Sequence, residues 1–327
     1  MTSTNSNVTE FITSYETAFT RNIKLGFFIA VTPFAIICDI ILIYYLVFDR
    51  MIRNILHYHS ILALLLVCLA LETIEVPRIM HYLRIGIVTL QTDLHCLLWQ
   101  WLDYILGGLI NVYMLWFSLE RHLFIFYSSM FNTFKRRLVF HYFPLIIIFV
   151  CVSLYYSIAF FIYPCEPQYD FTQPLCGLPC YTFQASISLY DLFAHNWIPL
   201  LCTPLLDSAL IVRVACRRNI GQQTRWQKHR KMIVQVLVIS NLFVIIQTPY
   251  VLIAFIQILG NVPDFALYIQ VVYFYYCLWL FALVLPFACL SCLPEVKNKI
   301  RMDFMRCIER NNGIVPFPLS QTRLRTC

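Results

Sequence analysis

CLLWQWLDYILGGLINVYMLWFSLERH, residues 96–122, decides how this chain folds. Between Cys96 and the triplet Glu120-Arg121-His122 only Asp103 carries a charge, and leucine, isoleucine, valine, methionine and aromatic side chains fill most of the rest. A helix rises about 1.5 Å per residue, so the run from Cys96 to Arg121 measures roughly 37 Å. The hydrocarbon core of a bilayer is about 30 Å thick and takes about 20 apolar residues to cross as a helix. The segment therefore reads as one complete crossing, polar at both ends.

Six more runs of this kind occur. The seven lie near 25–47, 55–76, 97–119, 139–163, 187–212, 232–259 and 266–291. They are too long and too continuous for the tilted, alternating strands of a membrane barrel. Over all 327 residues, 60% are hydrophobic and 13% charged, with a mean hydropathy of +0.70; soluble domains run about 45–50% apolar and about 25% charged. So much apolar surface has no place in water, which excludes soluble enzymes, disordered tails and collagen-like rods. The fold class expected is an all-α membrane protein: a seven-transmembrane helix bundle with a short amphipathic eighth helix.

Lysine and arginine set the orientation, because cytoplasmic loops collect them. Of 24, two lie in 48–54, four in 120–138, seven in 213–231 and seven after 291, against Arg21, Lys24, Arg78 and Arg84 on the other side. This places the N-terminus outside and the C-terminus in the cytoplasm. Residues 1–24 form an extracellular segment, 25–291 the bundle, and 292–327 a cytoplasmic helix and tail. The N-terminal segment is polar and lacks the basic start and apolar run of a cleaved signal peptide; Asn7-Val8-Thr9 is a glycosylation sequon on it. From Leu293, Val296, Ile300, Phe304 and Ile308 recur at four-residue spacing among basic residues, a pattern for a helix lying on the inner membrane surface. The net charge of +7 is not gathered on a polar face, so nucleic acid is not an expected partner. Many of the 14 cysteines fall in apolar runs, where a thiol packs as a small hydrophobe. Cys96 and Cys165, Cys176 and Cys180 of the 164–186 loop lie on the oxidising side and are candidates for bridges.

These residues together resemble the rhodopsin-like family of G-protein-coupled receptors, in a divergent form similar to invertebrate orphan or neuropeptide-type receptors. Cys96 and Glu120-Arg121 match the family's outer cysteine and acid-arginine pair, with His122 in place of tyrosine. Phe243, Pro249 and Tyr250 match its sixth-span motif, with Gln247 in place of tryptophan. Pro286 is retained from its seventh-span motif without the asparagine and tyrosine. Cys68 stands where the family has an aspartate, Asp39 where it has an asparagine, and the fourth span lacks its tryptophan. The family's buried sodium site is therefore not expected in its usual form, with Asp39 as a displaced polar partner.

The resemblance implies a plasma-membrane receptor that binds an extracellular ligand and activates a heterotrimeric G protein through helix rearrangement. It implies a bridge from Cys96 to the second outer loop; Cys180 is the favoured partner and Cys176 the alternative, since connectivity is not fixed by sequence. Arg121 would be held by Glu120 at rest, and Phe243, Pro249 and Pro286 would belong to the switch, the kink at Pro249 letting the inner half of the sixth span swing outward. Cys307 resembles the family's palmitoylation site. Asp103, two turns below Cys96, lies at the depth where amine receptors of the family bind a ligand ammonium, and a carboxylate inside the membrane is a functional candidate by default. Trp279 would face it, with Tyr250 and Tyr276 adding aromatic faces for a cation. Asp191, His195, Glu72 and Glu75 read as interfacial residues that make the outer side acidic, which suits a small amine or a basic peptide. No phosphate loop, metal box or nucleophile elbow is present, so neither an enzyme nor a cofactor or metal is expected. The rival readings are a transporter or channel, and a seven-helix membrane protein that does not signal.

Overall fold

In the computed structural model, which describes residues 17–218, 223–260 and 263–311, no strand occurs among the described residues. Seven helices are long and apolar enough to cross a membrane. They are α1 (Ala18–Phe48), α2 (Tyr58–Ile85), α3 (Asp93–Phe126), α4 (Phe134–Ile162), α5 (Ala185–Cys216), α6 (Gln223–Leu259) and α7 (Tyr268–Cys292). An eighth helix, α8 (Pro294–Asn311), succeeds α7 after a single break at Leu293. The bundle has an upper end, at which α1 begins, and a lower end, at which α8 lies. Asn7 lies outside the described residues, as does the side chain of Cys307.

Each expected span coincides with one helix, and α2 and α6 depart most, α2 running nine residues beyond position 76 to Ile85 and α6 starting nine residues before 232 at Gln223. Pro77 looks like a stop in sequence. It is tolerated because a π-helical turn, Leu71–Glu75, precedes it and a fresh α-helical segment begins at Val76. Proline at the start of a helix gives up an N–H that would have no partner there anyway. Gly86 then ends α2 at φ +86°, its N–H bonded to Tyr82 O at 2.7 Å. Thr17 and Thr92 cap α1 and α3, their hydroxyls accepting from Thr20 N at 3.3 Å and His95 N at 3.4 Å.

Around the bundle, α1 packs on α2, α2 on α3, α5 on α6, α6 on α7 and α7 back on α1, while α3 also touches α4, α5 and α6. The ring closes through α3, which also reaches across it to α6. In the most apolar window of each, 61% of α3 is buried but only 17% of α4, so α4 stands at the edge. Its outward side chains, such as Ile146, Phe149, Leu154 and Ile162, are apolar and exposed, the reverse of a helix facing water. The fold class expected from sequence is thus found in its seven apolar helices.

The expected favoured bridge from Cys96 to Cys180 is corrected. Cys96 pairs with the alternative, Cys176, and Cys180 pairs with Cys165. Cys165 lies just past the end of α4 and Cys180 precedes the start of α5, so these two close the base of the loop on itself. Cys176 sits in a tight turn, Pro174–Cys176, lying against the upper end of α3. Gln100 on α3 fixes that turn by donating from Nε2 to Leu175 O at 2.8 Å and Gly177 O at 3.0 Å.

Proteolysis without reductant, combined with mass spectrometry, is expected to recover peptides joined through Cys96–Cys176 and Cys165–Cys180 and none joined through Cys96–Cys180. Gly86→Ala puts a side chain at positive φ, with its Cβ 2.8 Å from the Arg21 guanidinium. It should lower stability by about 1–2 kcal/mol, read as a fall in the thermal unfolding midpoint of the protein in bilayer discs.

Candidate functional site

At the upper end, α3, α4, α5, α6 and α7 surround a cavity of about 300 Å³ roofed by the 164–186 loop. On α3, Asp103, Gly107 and Asn111 line it at four-residue spacing, as one face of a helix requires. Tyr250 of α6 and Tyr275 of α7 form the far wall, and Leu175 and Leu178 come down from the loop. Leu175 is 2% exposed and stands at φ +55°, with Cys176 at φ +56°. A left-handed conformation costs a non-glycine residue roughly 1–2 kcal/mol. The disulfide and the two Gln100 hydrogen bonds offset that cost and hold the roof in place.

Two carboxylates face this space in opposite conditions. Asp191 accepts from Tyr156 Oη at 2.8 Å, Tyr181 Oη at 3.1 Å and His195 Nδ1 at 2.8 Å, so its acceptor capacity is largely used within the protein. Asp103, 6% exposed, accepts one hydrogen bond, from Trp279 Nε1 at 3.1 Å. A buried carboxylate has about four acceptor sites, so Asp103 keeps capacity for a donor entering the cavity. The sequence alone puts Asp191 and His195 at an interface. They are buried instead, because the π-helical turn Leu192–Trp197 at the top of α5 carries His195 into the bundle beside Asp191.

Of the residues expected around Asp103, Tyr250 lines the cavity and Trp279 is fully buried behind Asp103. Tyr276 turns away, towards α1, where Lys24 Nζ lies 4.2 Å from its ring centroid. The neighbouring Tyr275 takes the place expected for it. A short 3₁₀ turn, Phe274–Tyr276, tightens the chain just there and exchanges the two directions. Asn111, Asn196, Gln257 and Tyr156 also line the cavity. Asn111 was within reach of the sequence, being two helical turns below Asp103 on the same face; the other three depend on how α4, α5 and α6 pack.

Glu72 and Glu75, expected at the interface, are fully buried. Each lies in the π-helical turn of α2, whose extra residue rotates the next segment by roughly 100° relative to a continuous α-helix. Glu75 pairs with Arg78 at 3.0 Å. Asp39 and Glu72 have no hydrogen-bond partner on any of their four carboxylate oxygens.

The lower end of α3 departs from the pairing that the resemblance implied. Glu120 accepts from Ser60 Oγ and from His141 Nδ1, and no ion pair joins it to Arg121. Arg121 is fully buried, with its guanidinium 4.6 Å from the centroid of the Phe117 ring and Nη2 3.4 Å from His57 O. Its Nε and Nη1 have no hydrogen-bond partner. The physical reason is competition: His141 on α4 reaches the carboxylate first, and adjacent residues on a helix point about 100° apart. Phe243 is buried edge-on against Phe281 at 5.5 Å. Pro249 and Pro286 interrupt α6 and α7 from within.

Gly108 lets Tyr156 approach α3, since a Cβ there would lie 2.7 Å from Tyr156 Cε2. Gly108→Ala should push Tyr156 off Asp191 and cost about 1–3 kcal/mol, seen as a lower unfolding midpoint that Tyr156→Phe largely shares and does not add to.

No protein-family model and no curated protein matches this chain.

Proposed function

We propose that this protein is a receptor of the rhodopsin-like class, set in the plasma membrane with its N-terminus outside, that binds a small cationic amine and activates a heterotrimeric G protein. The observation that carries the reading is that a single central helix joins a roofed cavity to a buried arginine. Asp103 and Arg121 are both on α3, 18 residues or roughly 27 Å apart, and that helix touches five of the other six spans. A ligand that displaces Asp103 or its Trp279 partner acts on the element that carries Arg121. The cavity volume of about 300 Å³ is at the small end of ligand sites, which favours an amine over a peptide. Asp103 would take the ammonium, Tyr250 and Tyr275 its flanks, and Arg121 with the basic residues of 213–231, where α5 ends and α6 begins, the G protein.

A second reading, a cation transporter, draws on Asp39 and Glu72, buried within the spans without partners. It requires flux, which the receptor reading does not.

Screening amines on surface-expressed protein with a second-messenger readout tests the proposal. Asp103→Asn should weaken the response to an active amine by about 30-fold, the value of a charged hydrogen bond worth about 2 kcal/mol, with surface expression kept. Gly107→Leu should also weaken it by filling the cavity, since nothing lies within 4 Å of a Cβ placed there. Arg121→Ala should abolish signalling while leaving amine binding in place. A variant at position 121 that signals at wild-type strength, or solute uptake by proteoliposomes without any messenger response, would overturn the receptor reading.

A further inference from the structure

A second cavity, of about 370 Å³, opens at the upper end between α2 and α3, bounded by the 86–92 link that joins them. Arg78 and His81 of α2, Thr89 of the link, and His95 and Trp99 of α3 line it, and no acidic residue does. It shares no lining residue with the cavity at Asp103. Its far wall is held from behind. Val88 N donates to Phe171 O at 2.8 Å and Tyr82 Oη to Thr172 O at 2.8 Å. Both acceptors belong to the 164–186 loop, which the Cys96–Cys176 bridge ties to α3. The walls therefore stand before any ligand arrives, which lowers the ordering cost of binding.

Hydrogen-bond donors converge here without acceptors to use them. Arg78 donates from Nη1 to Glu75 Oε1 at 3.0 Å. Its Nε and Nη2, the edge of a guanidinium that matches a carboxylate bidentately, make no hydrogen bond among the described residues. His81 has one nitrogen engaged, Nε2 at 3.0 Å from Thr89 Oγ1. The His95 ring has no hydrogen-bond partner among the described residues and lies against Trp99, with centroids 5.7 Å apart. Arg78 and His95 are near enough to interact electrostatically. The wider field has the same sign: Arg21, Lys24, Arg78 and Arg84 all lie on α1 and the upper part of α2, whereas the charged residues of 164–186 are Glu166 and Asp170.

We propose that this cavity is a second ligand site, for a water-soluble monocarboxylic acid with an apolar body. The Nε–Nη2 edge of Arg78 takes the carboxylate as a two-pronged, charge-assisted contact, and a nitrogen of His95 adds a further donor. Ile87, Leu90 and Trp99 supply the apolar contact that the body of the acid requires. One guanidinium already engaged by Glu75 suits a single negative charge and not a phosphate, which would call for further fixed cations. The site stands apart from Asp103, and its occupancy requires neither an amine nor a G protein.

The test is photolabelling of the full chain in phosphatidylcholine discs with 4-benzoylbenzoate, against its uncharged amide as control. Saturable labelling within residues 77–99 is expected from the acid, and labelling roughly tenfold weaker from the amide, for want of the charged hydrogen bond. Arg78→Lys keeps a cation for Glu75 but removes the fork, and should weaken labelling by about tenfold on the same ground. Thr89→Trp, on the exposed link, fills the cavity without touching the Arg78–Glu75 pair and should abolish labelling; it decides the matter if Arg78→Lys does not fold. Equal labelling by acid and amide, labelling centred on the residues around Asp103, or labelling unmoved by Thr89→Trp overturns the proposal. So does labelling abolished by phosphatidylglycerol in the discs, which would make the cavity a seat for a lipid headgroup.

Discussion

A peptide group in hydrocarbon has no water to turn to, so every crossing must close its hydrogen bonds within itself. That constraint makes each span a helix and makes polar side chains the scarce resource of the bundle. The outward side chains of α4 show one response, a surface left wholly apolar. The inward side chains of α3 show the other. Gln100, Asp103, Asn111, Ser118, Glu120 and Arg121 are all buried along it, and apart from Arg121's two free nitrogens and the vacant acceptors on Asp103 and Asn111, they are engaged by other elements.

How far this could be read in advance depends on whether a feature is local. The seven spans are local, since hydropathy over some twenty residues decides them, and each was legible. So was the depth of Asp103, which comes from helical rise alone. The features that were not legible share one cause, a departure from the regular α-helix. The π-helical turns in α2 and α5 carry Glu72, Glu75 and His195 inward, and the 3₁₀ turn before Cys277 exchanges Tyr275 for Tyr276. No residue type marks such a turn, and an extrapolation at 3.6 residues per turn fails beyond it. The bridge from Cys96 was ambiguous for a different reason, that three cysteines of one loop compete and only the folded turn at Pro174–Cys176 decides between them.

The partner of Glu120 was hidden in another way. His141 lies 21 residues further along the chain, and the pattern of an acid beside an arginine points to the neighbour in sequence instead. On a helix, neighbours in sequence diverge, so the carboxylate was open to whatever α2 and α4 brought to it. Ser60 and His141 arrive from two other spans, which makes this carboxylate a junction of three helices.

Among the described residues, the helix after α7 is fastened to the first two spans. Tyr58 Oη donates to Glu295 at 2.8 Å, Tyr45 Oη to Asp303 at 3.1 Å, and Lys299 pairs with Asp49 at 3.2 Å, so α8 is moored to the feet of α1 and α2. Its junction with α7 is reached from α6 by a hydrogen bond from Gln235 Nε2 to Cys292 O. The terminal helix and the feet of the first two spans are tied into a single keel.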